Sequence, residues 1–209
     1  MNALKRFALT VTAALCLLSP LLPQAAAAET ALTQQEGNAK GEELTAQIKA
    51  TYKKAKKVSR VKSFKGKCGA YVARQLVVLG INTKYIGSNG NRAFDIYKKK
   101  SETTGGYKIT AYPAKKYSLK EALLAIEKED PHARNILVGF EKGTSKAGRR
   151  YGHVMFIHGI EDGNVYFSDS YAQTVNGKRY KEGEPIVCSI ETFAKLYKKY
   201  KLDGVIHFG

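Results

Sequence analysis

The stretch from Gly152 to Ser170 constrains the fold most. Two apolar runs, Gly152–Ile160 and Val165–Ser170, flank Glu161-Asp-Gly-Asn164. Asp-Gly between such runs is a strong hairpin signal, because both residues accept the left-handed backbone of a tight turn. Two antiparallel strands are therefore expected. A three-residue loop, Glu161-Asp162-Gly163 with Gly163 as a bulge, places Ile160 opposite Asn164. Met155, Ile157, Val165 and Phe167 then share one buried face. His153 stands opposite Tyr171 with Asp169 as its diagonal neighbour, about 7–8 Å away at the backbone and within reach of a His–Asp pair. A two-residue Asp162-Gly163 turn sends Asp169 to the opposite face and mixes Met155 and Ile157 with Asn164, Tyr166 and Ser168. The apolar pattern favours the longer loop.

The other elements follow from periodicity and caps. Leu44, Ile48, Tyr52 and Ala55 recur at helical spacing within residues 41–58, with lysines on the other face. The stripe is narrow, which favours a helix packed on the domain over one lying on a charged surface. Residues 29–40 are polar and aperiodic and read as a flexible leader. A helix is expected from Cys68 to Leu79, burying Val72, Ala73, Leu76, Val77 and Leu79 and stopping at Gly80. Residues 82–92 read as loop and Arg92–Lys99 as a short helix. Thr103–Gly106 reads as a turn and Tyr107–Tyr112 as a strand. Ser118-Leu-Lys-Glu121 is a capping box before a helix that Asp130-Pro131 ends. Asn135–Phe140 is an apolar strand, followed by a basic loop over 141–150. Pro185–Cys188, a Ser189-capped helix to Tyr200 and Val205–Phe208 complete the chain. Helices first and antiparallel strands after give an α+β layout.

Residues 1–28 read as a signal peptide. Lys5 and Arg6 supply the positive start, Phe7–Leu22 is apolar, and Ala26-Ala27-Ala28 offers a small-residue cleavage site. The apolar run is short for a retained anchor. The mature chain suits one domain and is expected in the periplasm, the cell wall or the medium. Its formal charge falls from +17 to +15 once Lys5 and Arg6 are removed. That excess suits a polyanionic partner and equally suits lysines that only keep the chain soluble. For an exported chain, anionic wall polymers or lipid headgroups come before nucleic acid. The remaining cysteines, Cys68 and Cys188, could form a disulfide after export.

Cys68 stands at a predicted helix start, where free backbone N–H groups and the helix dipole favour an anion. A thiol so placed ionises more readily, and the same N–H groups suit an oxyanion. Lys65 and Lys67 add positive potential, and Gly66 and Gly69 remove bulk around it. Of the four histidines, His153 alone has an obvious acid partner in the sequence pattern, Asp169. His158 falls on the other strand face and reads as structural or exposed. His132 lies in a loop and His207 in the last strand. No Cys/His cluster has metal-ligand spacing, and neither a metal nor a cofactor is expected.

These residues carry a resemblance. Gly66-Lys-Cys68-Gly-Ala-Tyr-Val-Ala-Arg, Gly90-Asn91-Arg-Ala93-Phe, and Gly152-His153-Val154-Met-Phe-Ile with Asp162-Gly163 and Ser168-Asp169 resemble the CHAP family of cysteine- and histidine-dependent amidohydrolases and peptidases. The likeness spans residues 60–172, and the Gly-His-Val block is its most specific part. No tryptophan occurs; Tyr71 and Phe94 stand near positions where such domains often carry one. The resemblance implies a papain-like α+β domain over residues 61–209. A Cys-bearing helix end would pack against an antiparallel sheet carrying the histidine. It implies Cys68 as nucleophile, His153 as general base and Asp169 as the residue that orients the imidazole. It also implies cleavage of peptidoglycan amide bonds, as an amidase or an endopeptidase, by an expected monomer. The rivals are an acyltransferase with the same chemistry, a secreted peptidase acting on other peptides, and a non-catalytic wall- or surface-binding protein stapled by Cys68–Cys188.

Overall fold

The computed structural model describes residues 21–59, 61, 66–86, 103–104, 106–144 and 150–209. The expected helix Arg92–Lys99, the Gly90–Phe94 motif, Lys65, most of the expected signal peptide and the centre of the expected 141–150 loop lie outside these residues. The chain divides into two units, Met1–Lys40 and Gly41–Gly209. Helix α1, Leu21–Ala55, runs through the boundary. Residues 29–40, expected as a flexible leader, are helical. They lack an apolar stripe but are rich in Ala, Gln, Glu and Leu, which lose little entropy in a helix. No helix among the described residues is long and apolar enough to cross a membrane.

The larger unit is α+β. Helix α2 spans Lys67–Val78, α3 Leu119–Glu129 and α4 Ile190–Tyr197. The strands are β1 (Thr103–Thr104), β2 (Tyr107–Pro113), β3 (Arg134–Thr144), β4 (Arg150–Glu161), β5 (Asn164–Ser168), β6 (Gln173–Val175), β7 (Lys178–Tyr180), β8 (Ile186–Ser189) and β9 (Leu202–Phe208). Seven of them form one antiparallel sheet in the order β1-β2-β9-β3-β4-β5-β8, and β6-β7 form a separate hairpin. Helices and strands therefore interleave, and the last strand inserts between β2 and β3. The expected order of helices first and strands after does not hold, because α3 and α4 connect strands within the sheet.

Both sheet faces are buried. On one, Met155, Ile157, Val165, Phe167 and Val205 meet Leu123 and Ile126 of α3 and Phe193 and Tyr197 of α4. On the other, Leu137, Val154, Phe156 and Ile206 meet Val72, Ala73 and Leu76 of α2. Val77, expected inside, is 46% exposed. Ser118 caps α3 through the expected capping box with Glu121, and Ser189 caps α4. Gly80, at positive φ, ends the α2 turn.

The β4–β5 hairpin departs from the expected register. Glu161 pairs with Asn164, so the turn is the two-residue Asp162-Gly163, with both residues at positive φ. The ladder then slips between Ile157 and Gly159, where a bulge at His158 takes up one residue. Beyond it Ile157 faces Phe167 and Phe156 faces Ser168, the pairing that the longer loop would have produced. The bulge also reverses the alternation of faces. Met155 and Ile157 lie in the α3–α4 core before it, and Ile160 joins the same core after it.

Within the larger unit, α1 packs by its apolar stripe. Leu44 and Ile48 are fully buried and cluster with Tyr166. A Cβ on Gly159 would stand 3.0 Å from the Leu44 side chain, so that glycine lets the helix approach. The Ile48→Ala change removes buried methyl groups where the rigid sheet cannot collapse. It should lower unfolding free energy by about 2–4 kcal/mol, read as a lower urea midpoint with an unchanged slope. A change under about 0.5 kcal/mol would mean that this half of α1 is no part of the fold.

Candidate active site

The site assembles where β5 leaves β4. The last pair of that ladder is Phe156–Ser168, so the β4 edge from His153 to Met155 has no β5 partner. The start of α2 fills this place. Its N-cap is Gly66, which has no side chain with which to cap. The first-turn N–H groups of Lys67, Cys68 and Gly69 are thus left to other partners. The sulfur of Cys68 accepts from the backbone N–H of Gly69 and of Val154 and hydrogen-bonds the His153 side chain. Strand edge and helix tip therefore converge on one sulfur atom.

His153 is 5% exposed. Its Nε2 lies 3.3 Å from Oδ2 and 3.2 Å from Oδ1 of Asp169. With Nε2 at the carboxylate, Nδ1 is the nitrogen left to the thiol. The imidazole packs against a cluster of near-parallel aromatic rings. Tyr197 and Tyr200 lie 5.8 and 5.6 Å away at small interplanar angles, and Phe140 lies at 6.3 Å. Tyr171 closes the exposed side at 5.8 Å. The contact with Asp169 directs Nε2, and the aromatic cluster packs against the imidazole.

Asp169 lies one residue past the end of β5, not within the strand as expected. It is nevertheless beside His153, because the bulge restores the register. Its carboxylate collects donors from three elements. Tyr197 of α4 donates its hydroxyl to Oδ2 at 2.7 Å, and Gln173 of β6 donates its side-chain amide to the same oxygen. Ser170 Oγ and the Tyr171 backbone N–H donate to Oδ1, each at 3.2 Å. Tyr71, one turn along α2 from Cys68, bonds Ser168 Oγ at 2.7 Å.

The protonation states follow from opposed effects. Burial works to lower the His153 pKa, but the bond to Asp169 and the paired sulfur outweigh it and raise it to about 9. Burial works to raise the Cys68 pKa, and the His153 bond and charge, with the two backbone N–H groups, bring it below the usual thiol range. For Asp169, burial likewise favours the neutral form, but His153, Tyr197 and Gln173 hold the carboxylate ionised at lower pH than usual. The set is suited to a thiolate–imidazolium pair braced by a carboxylate. Between the thiol pKa and about 9 both charged forms coexist.

The structure therefore brings together all three expected site residues. It does not join the cysteines. Cys68 and Cys188 are both free, and they belong to the clusters on opposite faces of the sheet. Burial pushes the Cys188 thiol up to about 11, as for an inert core residue. His158 is 1% exposed and bonds Gln75 of α2 at 2.8 Å. It is structural, and burial pushes its pKa down to about 3. His132 and His207, which showed no obvious acid partner in the sequence, each have one: Glu161 at 2.9 Å and Asp130 at 3.8 Å. Tyr197, Gln173 and Gln75 were missed by sequence reasoning. Tyr197 and Gln173 have no spacing relation to His153, and only the fold could find them. Among the described residues, no group of three His, Cys, Asp or Glu side chains is placed to hold a metal ion.

Two measurements test this electrostatic account. Iodoacetamide alkylation of Cys68 should persist below the pH at which an ordinary thiol is protonated. In His153→Ala the same reaction should shift to higher pH, since burial of the sulfur remains while its counter-ion is gone; an unshifted profile removes the ion pair. Tyr197→Phe keeps the stacked ring and deletes one charge-assisted donor to Asp169, an interaction of about 1.5–3 kcal/mol. The pH at which alkylation falls away on the acid side should move upward, with the alkaline side barely changed. An identical profile would reduce Tyr197 to packing alone.

The chain matches no protein-family model, no curated protein and no solved structure.

Proposed function

We propose that this chain is a cysteine hydrolase that cleaves amide bonds in peptidoglycan peptides, with a papain-like arrangement of Cys68, His153 and Asp169. One observation carries the reading: a helix-tip thiol bonded to an imidazole whose other nitrogen faces a buried carboxylate. Structural ion pairs seldom combine a partly exposed cysteine, an uncapped helix start and a buried histidine packed against aromatic rings. The peptidoglycan substrate rests on the motif resemblance, and export rests on the signal-like residues 1–28.

The reaction is derived from these groups. The Cys68 thiolate attacks the amide carbonyl carbon and forms a C–S bond. The oxyanion takes the backbone N–H of Cys68, which the helix leaves without an intrahelical partner. His153 gives its Nδ1 proton to the amide nitrogen, the C–N bond breaks, and the amine leaves. Water then loses a proton to His153 and attacks the thioester. The acid is released and the thiolate is restored. Asp169 stays ionised throughout and holds Nε2–H, so that Nδ1 faces the sulfur. Hydrolysis should need the cysteine deprotonated and the histidine protonated. It should therefore fall at low pH through the thiol and at high pH through His153 at about 9.

Digestion of purified peptidoglycan, followed by mass spectrometry of the released fragments, tests the proposal. The parent chain should release new amine and carboxyl ends, at a sugar–peptide junction for an amidase or within the stem for an endopeptidase. Cys68→Ala should lower the rate on the order of 10⁶-fold while melting as a folded protein. Transfer to an added amine in place of water would make the chain an acyltransferase. Full digestion by Cys68→Ala would remove the nucleophile assignment.

A further inference from the structure

The C-terminal half of α1 carries positive charge that the catalytic reading does not use. Between Thr45 and Phe94 the sequence holds twelve Lys and Arg and no Asp or Glu. Five of these, Lys49, Lys53, Lys54, Lys56 and Lys57, lie on the end of α1 and the turn after it, and all five are exposed. At 3.6 residues per turn, Lys49, Lys53, Lys56 and Lys57 fall within an arc of about 100°. That arc points away from Leu44, Ile48 and Ala55, the packed side of the helix. Among the described residues, Lys49, Lys53, Lys54 and Lys57 have no ion-pair partner, and Lys56 lies 4.5 Å over the Tyr52 ring. Glu182, the acid that approaches this end of the helix beside Gly183 and Tyr52, is taken by Lys67 at 2.8 Å.

The chemistry of this ridge separates two kinds of anionic partner. A helix that binds a bilayer inserts an apolar face beneath its basic one. Here the apolar stripe is spent on Tyr166, and the exposed large apolar residues among those described are Val77, Leu124, Tyr171 and Val187, none of them on α1. What faces solvent is a row of ammonium groups without an apolar companion. Lys49, Lys53 and Lys57 are spaced about 6 Å apart along the axis. A flexible chain of repeating phosphates can follow such a row, with counterion release as the driving force.

We propose that Lys49, Lys53, Lys56 and Lys57 form a docking ridge for a linear polyanion of repeating phosphate groups. The ridge adjoins the candidate site. Tyr52, on the same helix, contacts the Tyr71 ring at 5.8 Å, and Tyr71 lies one turn beyond Cys68. A polymer held there keeps the thiol close to the matrix that contains it. The ridge does not include the reacting groups, so the proposal stands or falls apart from the hydrolase reading.

The test is binding of the full chain carrying Cys68→Ala to immobilised long-chain inorganic polyphosphate across a range of salt. Combining Lys49→Gln, Lys53→Gln and Lys57→Gln should weaken binding at least about tenfold near physiological salt. The slope of log K against log salt should fall by roughly 2, at about 0.7 for each phosphate that the variant no longer neutralises. A matched triple around α3, Lys115→Gln, Lys116→Gln and Lys128→Gln, removes equal charge elsewhere and should keep most of the affinity. Equal weakening by both triples would show attraction by net charge alone and overturn the ridge. Retention on phosphatidylglycerol vesicles that free polyphosphate fails to displace would assign the surface to a bilayer, and would overturn it too.

Discussion

The carboxylate of Asp169 is the point on which the site depends. A buried charge is costly unless it is fully solvated by the protein. Here His153, Tyr197, Gln173, Ser170 and the Tyr171 backbone supply the donors that water would otherwise provide. Those donors come from β4, α4, β6 and the bend after β5. Meeting one carboxylate's needs therefore fixes four pieces of chain against one another. The Gly183 backbone N–H also donates to the Asp169 carbonyl at 3.0 Å, and Gly183 packs on Tyr52 so closely that a Cβ there would overlap the ring. The loop before β8 is thus bound to the acid on one side and to α1 on the other.

The two strand histidines show how environment sets chemistry. His153 and His158 share β4 and are both nearly inaccessible to water. His153 faces a carboxylate and a thiol and is driven toward the charged form. His158 hydrogen-bonds the neutral Gln75, and burial drives it away from that form. Burial alone makes a histidine a poor base; burial with a satisfied carboxylate makes it a good cation. Residue type and strand position do not distinguish the two cases. The partner does.

Much of this was legible in the sequence where the signal is local. The capping box at Ser118, the Ser189 cap, the Gly80 stop and the place of the hairpin, though not its turn type, each depend on residues within a few positions. The face shared by Met155, Ile157, Val165 and Phe167 was legible because an apolar pattern must match a buried surface. The pairing of His153 with Asp169 was anticipated by the wrong turn: a longer loop and a short turn plus a bulge shift register by the same one residue. Nothing local marks His158 as the bulge, since His has no turn preference like that of Gly. The helical leader was hidden for the opposite reason, as propensity without periodicity leaves no stripe to read. Tyr197 and Gln173 were not legible at all, because long-range hydrogen bonds to a buried acid impose no spacing on the chain.

The bulge also has a positional consequence for α2. Gln75 lies two turns beyond Cys68, so the two side chains project from the same helix face about 10 Å apart. Cys68 bonds His153, and Gln75 bonds His158 at 2.8 Å. Val72, between them, and Leu76, just beyond Gln75, share an apolar cluster with Val154 and Phe156. Apolar packing alone resists sliding weakly, since one methyl group replaces another at small cost. A directional bond at each end does not tolerate such a slip: moving α2 by one residue along β4 strands a buried amide and a buried imidazole together. The bond between His158 and Gln75 is in this sense the distant half of the candidate site's geometry. It holds the helix at the one offset along the strand at which the thiol meets the imidazole.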